Sequence, residues 1–241
     1  MRARHRPAHA RRTAERWAAF LLPHLRPGMR LLDLGCGPGS ITAGLAAGLR
    51  AVGVDRDPVA IETVPVAAAD AAALPFPDAS FDAVVSTFGV MFTADQDKAA
   101  AELVRVCKPG GKIGLANWTP DGFIGQVFKT IGKHMPPPAG VKSPALWGTG
   151  ARITELFGAQ ASSIQFEQRE FVFRYRSAQH WLDVFKTYYG PLLKTFGAID
   201  PKVQTALTED LFALIKRFNR SGDATMVVPS EYIEVVVTRR A

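Results

Sequence analysis

With 241 residues, 47% of them hydrophobic and 21% charged, the chain has the composition of a globular protein and the length of one well-buried domain, short for two. It holds no apolar run near the roughly 18 residues of a spanning helix, which argues against an integral membrane protein. The formal charge of +7 sits in residues 1–30, where eight arginines face one acid, Glu15; a nucleic-acid groove would instead spread cations through the domain.

In chain order, residues 1–11 read as a solvated basic arm. Thr13–Leu25 predicts a first helix with Ala14, Trp17, Ala18 and Leu21 on one face, broken by RPGM at 26–29. Leu31–Leu34 is an apolar strand feeding a glycine loop, Ser40–Leu49 a helix of small residues suited to lie close on a sheet, and AVGVD at 51–55 a second buried strand. VPVAAAD at 64–70 and FDAVVSTFGVMF at 81–92 are the third and fourth strands, with Pro75, Pro77 and Asp78 marking the turn before the fourth. Asp95–Cys107 predicts a helix stopped by KPGG, and KIGLANW at 112–118 a fifth strand. The alternation predicts an α/β, Rossmann-like, doubly wound and mostly parallel sheet.

The last third differs. A proline-rich connection at 134–148 and a short helix at 153–158 precede strands at 164–176 and 231–240, bringing the sheet to seven. Between those strands, aromatic-rich helices at 177–196 and 201–219 form a lid-sized insertion over 177–219, within an expected single domain of 1–241.

The loop in LLDLGCGPGSITAGLAAGLRAVGVDRD, Leu31 to Asp57, decides the ligand class. It lacks the GxxxxGK[ST] of a P-loop, and its glycines, Gly35, Gly37 and Gly39, are spaced GxGxG rather than the GxGxxG of a dinucleotide fold. Asp33, just before the first glycine, would repel a pyrophosphate and attract an ammonium group. Asp55, closing the second strand, is placed to accept from ribose hydroxyls. S-adenosylmethionine, with a cationic amino group, a sulfonium and no phosphate, meets both demands.

LLDLGCGPG, VGVDRDP, AADAAALPFPDASFDAVVSTF and AAAELVRVCKPGGKIGLANW together resemble, over about residues 10–120, the successive motifs of class I S-adenosylmethionine-dependent methyltransferases, most closely the small-molecule "type 11" group that includes ubiquinone and menaquinone C-methyltransferases. The resemblance implies that Asp33 and the backbone of Gly35, Cys36 and Gly37 face the methionine part, Asp55 the ribose and Arg56 the adenine flank. It also implies that Asp70 accepts from the adenine amine beside the Ala71 amide, and that Ser86 and Thr87 lie by the transferred methyl. One departure stands out. Only Arg56–Thr63 separate the second and third strands, fewer than a parallel crossover normally needs, so a helix of one to two turns in PVAIET or a poorly paired third strand is expected.

Methyl transfer needs positioning more than a catalytic side chain, and the base candidates are His134, His180, Tyr188 and Tyr189. Phe88, Phe92 and Trp118, with Trp147 and Tyr188 in a cover, form the expected substrate pocket for a small apolar or aromatic acceptor. Trp181 and Phe185 extend that aromatic stripe. RNA modification and a non-catalytic cofactor-binding role are the alternatives. No acid and histidine cluster has metal-ligand spacing, so no metal is expected, and two isolated cysteines, Cys36 and Cys107, suit a cytoplasmic protein.

Overall fold

The computed structural model of the chain describes residues 12–58 and 64–241. Seven strands form one sheet: β1 (Arg30–Leu34), β2 (Arg50–Asp55), β3 (Val66–Ala68), β4 (Phe81–Thr87), β5 (Cys107–Trp118), β6 (Ala161–Tyr175) and β7 (Met226–Arg239), in the order β3-β2-β1-β4-β5-β7-β6. The sheet is mostly parallel, with an antiparallel hairpin at one end. Its central strands are buried along nearly their whole length, as helices on both faces of a parallel sheet require, and this is why LLDL, AVGV and DAVV read as continuous apolar runs. The strand order reverses between β1 and β4, which pair through Leu31↔Ala83, Leu32↔Val84 and Asp33↔Val85. The carboxyl ends of these two strands therefore flank the switch point where such sheets bind ligands.

The chain divides into two compact units: the described parts of Met1–Asn117 with Trp147–Glu167 and Ile233–Ala241, and a second unit of Trp118–Leu146 with Gln168–Tyr232. In the first, α1 (Ala14–Trp17) is a single turn, because Ala18 leaves helical geometry and Pro23 follows within a short 3-10 helix, Leu22–His24. The long first helix anticipated from periodicity is absent. Helix α2 (Ser40–Leu45) stops before Gly48, and a Cβ on its Gly44 would stand 2.9 Å from the Ala14 Cβ, so glycine is what lets α1 approach α2. Helix α3 (Gln96–Val106) begins as anticipated, with the Asp95 carboxylate accepting from Lys98 N–H at 3.0 Å, and buries Ala99, Ala100, Leu103 and Val106. Strand β4 ends at Thr87 rather than at residue 92 because Phe88 turns to φ +59°, which no strand tolerates.

The third strand pairs with β2 through only Gly53↔Val66, Val54↔Ala67 and Asp55↔Ala68. No helix occurs between β2 and β3 among the described residues, and most of PVAIET, where one was anticipated, lies outside them.

In the second unit, α4 (Phe123–His134) is a helix that periodicity did not announce, its propensity lowered by Gly125 and Gly132. Gly125 is required there, since a Cβ would collide with the Thr119 carbonyl oxygen. With α5 (Gly150–Phe157) assigned to the first unit, the anticipated insertion resolves into α6 (Ala178–Tyr188), α7 (Gly190–Ala198) and α8 (Pro201–Phe218). The unit that holds it is larger than a lid, because it also takes α4 and parts of β6 and β7.

Candidate cofactor site

The loop after β1 is built from its glycines. Gly35, Gly37 and Gly39 take φ of +75°, +54° and +73°, a region that residues with a Cβ enter only under strain. The N–H groups of Gly35 and Cys36 both donate to the Val54 carbonyl, at 2.8 and 3.1 Å, and that of Gly39 to the Cys36 carbonyl at 2.9 Å. Gly37 N–H donates to Asp55 Oδ2 at 2.9 Å, while Asp57 N–H donates to Asp55 Oδ1 at 3.1 Å. Pro38 has no N–H, so every backbone donor from Gly35 to Gly39 is spent inside the protein. Such a loop offers a ligand carbonyl oxygens and carboxylates rather than N–H groups, which suits a cation and not a phosphate.

Asp33 fits the same demand. It is 2% exposed, and its Oδ2 accepts from the Thr42 hydroxyl at 2.5 Å. Burial pushes its carboxyl up to about 6, the Thr42 hydrogen bond working against that rise and the nearby Asp55 charge with it. A cationic group beside Asp33 would reverse the shift. Cys36, by contrast, is a filler: burial, then the charges of Asp33 and Asp55, push its thiol up to about 12, and its sulfur occupies the space left by Gly53, where a Cβ would stand 2.9 Å from it.

Ser86 belongs to the frame of the site. It is fully buried, its hydroxyl donates to the Leu34 carbonyl at 2.7 Å and accepts from Val90 N–H at 2.8 Å, and this ties the ends of β1 and β4 together. Its one O–H donor is therefore used inside the protein. Asp70, exposed, uses Oδ1 to accept from Ala72 N–H at 2.9 Å in a tight turn around Ala71, and Oδ2 has no partner among the described residues. Arg56 is exposed at the end of β2.

The pocket candidates part company. Phe88 is buried edge-on against Trp17, 5.5 Å between ring centres, with the Arg12 guanidinium over both rings. Phe92 is 38% exposed, and Trp147, wholly buried against Phe157, is core of the first unit and closed to a ligand. Trp118 packs on Phe173 and Tyr232 in the second unit, and Tyr188 is half-buried on α6. His134 Nε2 lies 3.0 Å from Asp210 Oδ2, and His180 accepts from Arg176 N–H at 3.4 Å with its ring edge-on to Tyr175. No group of three or more metal-ligating side chains occurs among the described residues.

A sequence model of the methyltransferase domain family matches residues 32–115. An uncharacterized protein of Mycobacterium tuberculosis is 34% identical over 230 residues, covering 89% of this chain and 82% of its own. The ubiquinone/menaquinone biosynthesis C-methyltransferase of Laribacter hongkongensis is 36% identical over 125 residues, 43% of this chain and 51% of its own. The chain belongs to the class I S-adenosylmethionine-dependent methyltransferases. A putative methyltransferase from an antibiotic biosynthesis pathway of Anabaena variabilis shares the methyltransferase fold, with a TM-score of 0.62 at 16% identity over 95% of this chain and 99% of that one. S-adenosylmethionine is accordingly the cofactor, and the donor-poor loop with its buried Asp33 fits it. No helix among the described residues is long and apolar enough to cross a membrane.

Several residues around this methyltransferase's candidate site escaped sequence reasoning. Thr42 fixes Asp33 from nine positions away, Gly89 packs on Gly35, and Glu102 and Arg105 grip the segment after Asp70. Of these only Gly89 left a legible sign, as the one glycine inside an otherwise strand-like run.

Proposed function

We propose that this methyltransferase methylates a small organic acceptor of apolar or aromatic character. The observation that carries the reading is the run of rings in the second unit. Trp118 and Phe173, Phe171 and Phe173, Phe173 and Phe185, and Phe185 and Tyr189 stand 4.8 to 5.8 Å apart, with Phe171 and Tyr189 partly exposed at its margin. Such a margin suits a planar, weakly polar guest. The name of the Laribacter relative, a quinone-biosynthesis C-methyltransferase, points the same way. The charge that would serve a polynucleotide is confined to residues 1–30.

When bound, S-adenosylmethionine supplies the methyl electrophile and a good leaving group. The chain's part is to hold and orient. Asp33 and the loop carbonyls accept from the ammonium group, Asp55 accepts from the ribose hydroxyls, Arg56 flanks the adenine, and Asp70 with the Ala71 amide meets the adenine edge. Orientation of this kind lowers a bimolecular barrier by about 7 to 11 kcal/mol.

The test is transfer of isotope-labelled methyl to a panel of hydroquinones and phenols, with RNA in parallel, by the full chain and by a form lacking residues 1–10. Label in the organic extract with both forms is expected. Label in RNA, lost with the arm, would replace the reading with RNA modification. Label in neither would make the protein a cofactor binder without transfer.

A further inference from the structure

We propose that Glu102 and Arg105 are positioning residues for adenine recognition: from α3 they fix Leu74–Asp78 and, through it, the Asp70–Ala73 turn that reads the adenine edge. The proposal rests on the reading that Asp70 and Ala71 meet that edge.

Glu102 Oε2 accepts from Leu74 N–H at 2.6 Å, and Arg105 Nη2 donates to the Leu74 carbonyl at 3.0 Å. Both backbone polar groups of one residue are thus held by one charged pair. The pair is itself a two-pronged fork, Arg105 Nε to Glu102 Oε1 at 2.6 Å and Nη2 to Oε2 at 2.7 Å. The remaining nitrogen, Nη1, donates to the Phe76 carbonyl at 2.7 Å and to Asp78 Oδ1 at 2.9 Å. These contacts match the five N–H groups that a guanidinium owns.

The segment they hold needs such help. Leu74–Ala79 forms no helix or strand, and Pro75 and Pro77 take two N–H donors out of it. The α3 end adds Ala79 N–H to the Arg105 carbonyl and Ser80 N–H to that of Val106, both at 2.8 Å. On the other side, Ala73 N–H donates to the Asp70 carbonyl at 3.0 Å, so Leu74 is joined directly to the turn that carries Asp70 and Ala71. The side chains of the ion pair are only 30% and 17% exposed, so its hydrogen bonds are partly shielded from water. Its consequence is the placement of the turn.

Adenine offers an amine donor and a ring-nitrogen acceptor at this edge; hypoxanthine reverses both. The experiment is calorimetric titration of S-adenosylhomocysteine and S-inosylhomocysteine into the wild type, Arg105→Ala, Arg105→Lys, Glu102→Gln and Asp70→Ala, with melting temperatures alongside. The wild type should prefer the adenine compound by at least about tenfold. Arg105→Ala should compress that preference by about tenfold, through weaker adenine binding and little change for the inosine compound, with Arg105→Lys and Glu102→Gln between. Variants that melt lower while the preference stands would show a merely structural pair and overturn the proposal. A wild type without preference, unaffected by Asp70→Ala, would remove the adenine reading itself and the proposal with it.

Discussion

The backbones of Gly35 and Gly89 lie against each other: a Cβ on Gly35 would stand 2.7 Å from the Gly89 Cα, and one on Gly89 would stand 2.9 Å from the Gly35 Cα and 2.7 Å from the Leu34 carbonyl oxygen. The loop after β1 and the turn after β4 are therefore in register at the switch point only while both residues lack side chains. Gly89→Ala should cost about 1 to 3 kcal/mol of stability and weaken S-adenosylhomocysteine binding as the loop shifts. Gly48, at φ +76° with nothing within 4 Å, is the control. Gly48→Ala should cost about 1 kcal/mol in backbone strain and leave affinity alone. Denaturant melts with ligand titration check both.

Asp33 predicts a trade between stability and binding. With its carboxyl at about 6 in the ligand-free fold, above the ordinary value of 3.8, the ionised group opposes folding at neutral pH. That cost is full above about pH 6, shrinks as pH falls toward 4, and is gone below it. Asp33→Asn, which can still accept from Thr42, should therefore stabilise the ligand-free protein by about 2 to 3 kcal/mol at neutral pH and by little at pH near 4, while losing the cofactor. In the wild type, affinity for the cationic cofactor should fall as pH drops through about 6, because the ligand selects the ionised form.

Asp55 holds the loop from β2 with both oxygens, to Gly37 and to Asp57. Asp55→Ala should remove the ribose contact and release Gly37 at once, lowering affinity by about 3 kcal/mol or more, the scale of hydrogen bonds to a charged group. Asp55→Asn, which keeps one acceptor, should lose less. An unchanged affinity in Asp55→Ala would mean that the ribose lies elsewhere.

The arrangement at Ser86 separates a frame from a catalyst. Ser86→Ala breaks two buried hydrogen bonds and leaves the Leu34 carbonyl and Val90 N–H without their partner, which should cost about 1 to 3 kcal/mol. Turnover with the cofactor saturating should stay near the wild-type rate. A large fall in kcat at unchanged melting temperature would place the hydroxyl at the reacting atoms instead.

The sheet and the cofactor loop were legible because their signals are local. Continuous apolar strands, a GxGxG turn and an acid two residues before it lie close together in the chain. The features that went unread depend on backbone geometry and side-chain contacts that composition and periodicity do not announce. Phe88 ends β4 through its own left-handed backbone, and α4 carries Gly125 because the Thr119 carbonyl lies against it. Trp147 looked like a pocket residue beside a proline-rich stretch, yet Phe157, ten positions on, closes it into core. The Ser86 hydroxyl donates to the Leu34 carbonyl across a neighbouring strand, a tie between residues 52 positions apart.

The account turns on what the loop from Gly35 to Gly39 can hold, and titration of the full chain with S-adenosylhomocysteine and, separately, NADH tests that most directly. A loop whose N–H groups are all spent, beside a buried Asp33, predicts saturable heat with S-adenosylhomocysteine at one site per chain, abolished in Asp33→Asn, and none with NADH. Tighter binding of NADH, or no binding of S-adenosylhomocysteine, would contradict it.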